Sequence, residues 1–182
     1  MKIVTVVGAR PQFIKAAAMS RVLRKEHQEI LVHTGQHYDP NMSDVFFEEL
    51  GIPQPEYNLG ISGGSHAQMT GRMLIAIEEV LLKESPDALL VYGDTNSTMA
   101  ASLAAVKLHI PIIHVEAAAR LGTFSNPEEV NRVVTDHVST ILFACVPSAV
   151  EFAKKEGVKR NLFLVGDLMH DAFLYYSGHR TL

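Results

Sequence analysis

Six short apolar runs recur along the chain, at Ile3–Val7, Ile30–Thr34, Ala88–Tyr92, Ile110–Val115, Thr140–Ala144 and Leu162–Val165. They are apolar along their length instead of alternating, the pattern of strands covered on both faces. Longer segments with helical periodicity separate them. Parallel strands need crossovers long enough to hold a helix, and a sheet covered on both faces needs helices on both sides. The order predicts an α/β fold: a doubly wound, mostly parallel sheet.

The helix ends are readable. Asp39-Pro40 is an N-cap followed by a first-position proline, with Gly51 closing that helix. Ser65 and Gln68 form a capping box ahead of Met69, Met73, Ile77, Val80 and Leu81 on one face. Asn126-Pro127-Glu128-Glu129 opens another helix with acids in its first turn. The loosest stretch, Gly51 to Ser65, holds two prolines and four glycines and reads either as an active-site loop or as a plain surface connection.

A length of 182 residues suits one domain, taken as 1–182. The net charge of -4 argues against a general nucleic-acid or anionic-membrane binder, though not against a local phosphate pocket. No segment approaches 18 uninterrupted apolar residues, so no transmembrane helix is expected. The first residues make a strand-length run instead of a signal peptide. The single cysteine, Cys145, cannot form an internal disulfide and reads as a buried thiol. A cytoplasmic location is the expectation.

In an open parallel sheet, ligands collect beyond the carboxyl ends of the strands. Those ends carry Gly8-Ala9-Arg10-Pro11, Gly35-Gln36-His37, Gly93-Asp94-Thr95-Asn96 and Glu116-Ala117. Arg10 and Lys15 open the first helix and could reach an anion there, or be two solvated cations beside a tight turn. The segment is neither a Walker loop nor a dinucleotide fingerprint. Asp94 could be a general base, a ligand for sugar hydroxyls, or the cap of the next helix. Glu116 leaves a buried strand, where a carboxylate is costly unless paired or functional. His114 and Glu116 alternate on that strand and so share a face, but no third ligand is placed and no metal is expected. Glu128 and Arg132 stand four apart and can pair on one helix face, or the acids simply favour the helix dipole. His37 and Arg72 remain open between structural and ligand-binding roles.

Together these runs resemble the non-hydrolysing UDP-N-acetylglucosamine 2-epimerase family along nearly the whole chain. The matching segments are Gly8-Ala9-Arg10-Pro11 with Lys15, Thr34-Gly35-Gln36-His37, Val91-Tyr92-Gly93-Asp94-Thr95, His114-Val115-Glu116-Ala117, Pro127-Glu128-Glu129-Val130-Asn131-Arg132 and Thr135-Asp136-His137. The resemblance implies the amino-terminal half of a glycosyltransferase-B-like enzyme with two Rossmann-like domains. It implies interconversion of UDP-GlcNAc and UDP-ManNAc by elimination and re-addition of UDP, with no metal or redox cofactor. It makes Asp94, Glu116 and Glu128 the acid–base and sugar-contacting carboxylates, and Arg10, Lys15, Arg132 and His37 their cationic or substrate-binding partners. Gln36 and Arg72 match part of a regulatory site. A homodimer and a role in cell-surface polysaccharide synthesis are also implied.

Two departures stand out. The family usually follows His-Val-Glu-Ala with Gly-Leu-Arg, whereas this chain has Ala118-Ala119-Arg120. If that glycine supplies a positive φ, Ala118 would displace Glu116 or its loop. The other is length: members are about twice as long, so a carboxy-terminal UDP-binding domain is expected to be missing and the isolated chain to be weakly active or inactive. The competing readings are a non-catalytic nucleotide-binding or oligomerisation module and half of a related glycosyltransferase.

Overall fold

A computed structural model of the chain describes residues 1–36, 51, 53–158 and 161–178. Thirteen elements alternate along them: β1 (Lys2–Val7), α1 (Arg10–Leu23), β2 (Gln28–His33), β3 (Tyr57–Asn58), α2 (His66–Glu84), β4 (Ala88–Tyr92), α3 (Asn96–Lys107), β5 (Ile112–Val115), α4 (Pro127–Val138), β6 (Ile141–Ala144), α5 (Pro147–Lys155), β7 (Leu162–Leu164) and α6 (Leu168–Gly178). The strands form one seven-stranded sheet in the order β3-β2-β1-β4-β5-β6-β7. Every pairing is parallel. This is a Rossmann-like, doubly wound sheet, and its winding reverses between β1 and β4.

The six expected strands are present, with β2 starting two residues early. The correction is β3, which lies inside the stretch read as a loop. A two-residue strand has no periodicity to read; it is held by backbone pairing to β2, by Leu59 N–H on His33 O at 2.8 Å and by Ile61 N–H on Thr34 O at 2.8 Å. The helix expected between Asp39 and Gly51 lies outside the described residues, as does His37.

The helix ends follow the side chains. Ser65 Oγ accepts from Gln68 N–H at 3.3 Å while Gln68 Oε1 accepts from Ser65 N–H at 3.0 Å, closing the capping box of α2. Asn126 Oδ1 accepts from Glu128 N–H at 3.0 Å, and Pro127 takes the first position of α4. The helices cover both faces. On one, α2 and α3 bury Met73, Ile77, Leu81 and the alanines 100, 101, 104 and 105 against Val4, Val6, Val32, Leu89 and Val91. On the other, Phe13, Ala16 and Ala17 of α1, with α6 behind them, cover Ile3, Val7, Leu31, Leu90 and Tyr92. Alanines let α3 lie close to the sheet, which brings its amino end under the β1 and β4 turns. Among the described residues no helix is long and apolar enough to cross a membrane.

His33 closes β2, 1% exposed, edge-on to Phe13 with ring centroids 5.0 Å apart. Burial pushes its imidazole down to about 4 from the ordinary 6.5. The folded state therefore excludes a proton that the unfolded chain accepts. The stability this provides is complete above the unfolded value of about 6.5 and is lost as pH falls through about 4, roughly 3 kcal/mol in all. Urea unfolding at pH 7 and pH 4 is expected to show the native chain losing about 2–3 kcal/mol more than His33→Gln. Equal losses would remove His33 as the source.

Candidate active site at the switch of the sheet

The turn after β1 sits where the winding reverses. Gly8 leaves no room for a side chain: a Cβ there would strike Thr34 Oγ1 and Ser97 Oγ, both fully buried. Gln12, 2% exposed, organises the rim. Its Oε1 accepts from Gly8 N–H at 2.8 Å and Ala9 N–H at 3.0 Å. Its Nε2 faces Tyr92 O at 2.7 Å and Thr98 Oγ1 at 2.9 Å. Two N–H groups that the sequence offers to an anion are thus taken by a side chain. Arg10 is exposed at the start of α1.

Lys15, one turn further along α1, is buried and forms an ion pair with Glu116 at the end of β5. Burial lowers the Lys15 ammonium from its usual range, opposed by the charges of Asp94 and Asp167. The cap of α3 is Thr95, whose Oγ1 accepts from Thr98 N–H at 3.2 Å. Asp94 is therefore released from capping, and its carboxylate pairs with Arg132 of α4 instead. Asn131 donates to Asp94 O at 2.9 Å and to Asn96 Oδ1 at 3.1 Å, fastening α4 to this rim. Gly93 brings the two pairs together: a Cβ on it would lie 3.4 Å from Glu116 Oε2 and 3.9 Å from Lys15 Nζ. Two half-buried carboxylates, each paired to a cation, thus stand beyond the ends of the neighbouring strands β4 and β5. Next to this rim a pocket is lined by Asn96 and Asn131 together with His66, Met99, Phe124 and Val130.

Several expectations need correction. Arg132 pairs with Glu129 at 2.6 Å and with Asp94, not with Glu128. Glu129 is 3% exposed and also accepts from Leu121 N–H at 3.0 Å and Gly122 N–H at 2.9 Å. Burial raises its carboxyl, but those N–H groups and Arg132 outweigh that and hold it below the usual range. Glu128 is exposed at the start of α4. The two acids are adjacent and both plausible partners for Arg132, so only the helix rotation distinguishes them. His114 and Glu116 do not share a face. His114 lies under α4 against Asp136, while Glu116, beyond the strand at φ 65, turns back to Lys15 on the opposite helix layer. Cys145 is half-buried, and burial raises its thiol, with Asp167 adding and Lys15 opposing. Gln36 Oε1 accepts from Ser97 Oγ at 2.7 Å and Ser97 N–H at 3.1 Å, so it ties β2 to α3. Arg72 is exposed and folds back on Ser62 O and Gly63 O.

Sequence reasoning gave no role of their own to Gln12, Glu129, Asn131 and Asp136. Each is a polar residue buried on a helix. The available signal was that polarity at positions facing the sheet.

A family model described as UDP-N-acetylglucosamine 2-epimerase matches residues 21–181. The chain belongs to the UDP-N-acetylglucosamine 2-epimerase family. It is 57% identical over 96% of its length to a UDP-N-acetylglucosamine 2-epimerase homolog of Methanococcus maripaludis, covering 49% of that protein. It is 54% identical over its whole length to the UDP-2,3-diacetamido-2,3-dideoxy-D-glucuronate 2-epimerase of Pseudomonas aeruginosa, covering 52% of it. The crystal structure of Methanocaldococcus jannaschii UDP-GlcNAc 2-epimerase with UDP-GlcNAc and UDP superposes with a TM-score of 0.94 at 45% identity, over all of this chain and 51% of that one. The chain thus spans about half the length of these epimerases.

Ala118, where the resemblance expects glycine, takes a left-handed backbone conformation. It has φ 63 and is fully buried. An L-residue there costs roughly 1–2 kcal/mol. Glycine would relieve that strain but would lose about 0.8 kcal/mol of methyl burial and about 0.4–1 kcal/mol through the freer unfolded chain. The terms nearly cancel. Ala118→Gly is expected to stay within about 1 kcal/mol of the native chain in denaturant unfolding, while Ala118→Val loses about 3 kcal/mol through β-branched strain and overpacking. A large loss in the glycine variant would mean that the methyl packing dominates.

Proposed function

We propose that residues 1–182 are the amino-terminal domain of an enzyme that inverts carbon 2 of a UDP-linked 2-acetamido sugar, interconverting UDP-GlcNAc and UDP-ManNAc. The observation that carries this reading is the placement of Asp94 and Glu116 on adjacent strand ends, each held by its own cation, at the switch of the sheet. Inversion without redox chemistry needs one base and one acid across a planar carbon. A carboxylate takes the carbon-2 proton as the carbon 1–oxygen bond breaks, its electron pair leaving with UDP and a carbon 1–carbon 2 double bond forming. Protonation of carbon 2 from the other face, with UDP adding back at carbon 1, completes the inversion. Asp94, Glu116 and the exposed Glu128 supply the proton-carrying groups. Arg10, Lys15, Arg132 and His37 serve the anionic substrate and the carboxylates, and Gln36 and Arg72 belong to a regulatory subsite.

The relatives' double length supports a second domain that closes the cleft and carries most uridine-diphosphate contacts. The 54% identity to the glucuronate epimerase favours a second reading of the substrate, in which the sugar is UDP-2,3-diacetamido-2,3-dideoxy-D-glucuronate. The chemistry at carbon 2 is the same.

The test is a titration of the 15N-labelled chain with each UDP-sugar, followed by product analysis in deuterated water. Binding is expected to shift the amides of Gly93–Thr95, Glu116–Ala118 and Asn131–Arg132. Turnover, where present, places deuterium on carbon 2 of the epimer. Millimolar UDP-sugar that leaves those amides unmoved would sink the assignment of the cleft. The sugar that shifts them at the lower concentration identifies the substrate.

A further inference from the structure

Beneath the cleft lies a buried charged chain whose donors and acceptors can be counted. Asp136 of α4 is 1% exposed and His114 of β5 is fully buried. Asp136 Oδ1 meets His114 Nδ1 at 2.7 Å, and Ala118 N–H spans both carboxylate oxygens at 3.1 and 3.0 Å. Arg120 Nη1 donates to Oδ2 at 2.7 Å and continues through Nη2 to Glu156 Oε2 at 2.7 Å. The other ring nitrogen of the histidine, Nε2, lies 2.7 Å from Gly93 O. A carbonyl can only accept, so Nε2 carries a proton. A carboxylate held by a guanidinium and a backbone N–H is an acceptor too, and Nδ1 is placed to donate to it. Burial raises the Asp136 carboxyl, but His114 and Arg120 together outweigh it and hold it below its ordinary range. The contacts therefore run from Arg120 through Asp136 to His114 and on to the Gly93 carbonyl.

We propose that Asp136 is the positioning residue of the cleft, locking the ends of β4 and β5 together through a His114 imidazolium and the Ala118 N–H. Each end is clamped. The Gly93 carbonyl is held by the His114 ring, and the Gly93 N–H donates to Val115 O at 2.9 Å, which fixes the peptide leading into Asp94. On β5, Glu116 and Ala118 both take left-handed conformations, at φ 65 and 63. Two such non-glycine residues persist only where surroundings over-determine them. Asp136 supplies that determination by gripping the Ala118 N–H, and the kink turns Glu116 away from the His114 face and onto Lys15. One buried carboxylate thus sets the direction of both carboxylates of the rim without touching either. Its service to catalysis rests on the epimerase reading above; the charge state and the clamp do not.

The experiment uses no UDP-sugar, so it succeeds or fails independently of that reading. Long-range 1H–15N spectra of the labelled chain at pH 7 are expected to show both ring nitrogens of His114 protonated. A single protonated nitrogen would overturn the imidazolium. In Asp136→Asn, amide exchange at Ala118 is expected to accelerate at least about 100-fold while Val4 and Val6 in β1 keep their protection. The Glu116 carboxyl 13C and Lys15 Nζ signals, which report the ion pair, are expected to move together. Acceleration spread evenly over the sheet, or unmoved Glu116 and Lys15 signals, would reduce Asp136 to a residue that merely stabilises the fold. If the variant does not fold, the His114 spectrum of the native chain still decides whether the clamp is charged as proposed.

Discussion

In any form of this protein that turns over a UDP-sugar, Glu116→Gln is expected to lower the turnover number by about 10²- to 10⁴-fold, the range for loss of a positioned acid or base. The substitution keeps the side chain's shape and its hydrogen-bonding reach but removes the ability to exchange a proton. It also strips Lys15, 7% exposed, of its ion-pair partner. The two effects separate by measurement. Loss of proton transfer lowers turnover with little change in KM, whereas a misplaced lysine acting on an anionic substrate raises KM. Steady-state kinetics of Glu116→Gln beside Lys15→Met distinguish them. A decrease below tenfold in Glu116→Gln would take Glu116 out of the proton-transfer role and leave Asp94 and Glu128 to carry it.

Gly35→Ala is expected to destabilise the chain by about 3 kcal/mol. Two terms add. Gly35 has φ 92, where an L-residue is strained by roughly 1–2 kcal/mol. Its Cβ would also lie 2.7 Å from Ile61 N and 3.0 Å from Gly60 C, all backbone, and overpacking of that kind costs about 1–3 kcal/mol. The obstructing peptide cannot retreat freely, because Ile61 N–H donates to Thr34 O and that bond anchors the segment after β3. Gly60→Ala supplies the comparison. Gly60 has φ 61 with nothing near its missing Cβ, so only the strain term applies. Thermal unfolding is expected to place Gly35→Ala about 6–12 °C below the native chain and Gly60→Ala, with the strain term alone, about 2–8 °C below it. Equal decreases would mean that the close approach between the β2 end and the β3 segment is absent.

Much of the architecture was legible because burial on two faces leaves a one-dimensional trace. Apolar runs such as Ala88–Tyr92 and capped segments such as Ser65–Gln68 are local, and local chemistry survives into the fold. The β3 strand was not legible, since two residues paired only through backbone atoms leave no side-chain pattern. The rim was legible in part. Asp94 and Glu116 stood out because a carboxylate directly after an apolar strand needs a reason to be there, and the sheet topology brings both to one edge.

What the sequence by itself determined is the layer order and the set of polar groups delivered to the carboxyl edge, because strand length, helix caps and glycine turns act over a few residues. What only the tertiary structure decided is which of those groups meet. Arg132 chooses Glu129 and Asp94 over Glu128 because the apolar face of α4 sets its rotation. His114 faces Asp136 and Gly93 because α4 packs beneath β5, and Glu116 departs to Lys15 because two left-handed residues bend the chain after the strand. Partners separated by 22 residues, as His114 and Asp136 are, or by 101, as Lys15 and Glu116 are, share no local pattern. Their encounter depends on packing angles and on a few degrees of backbone rotation, and those are properties of the assembled layers.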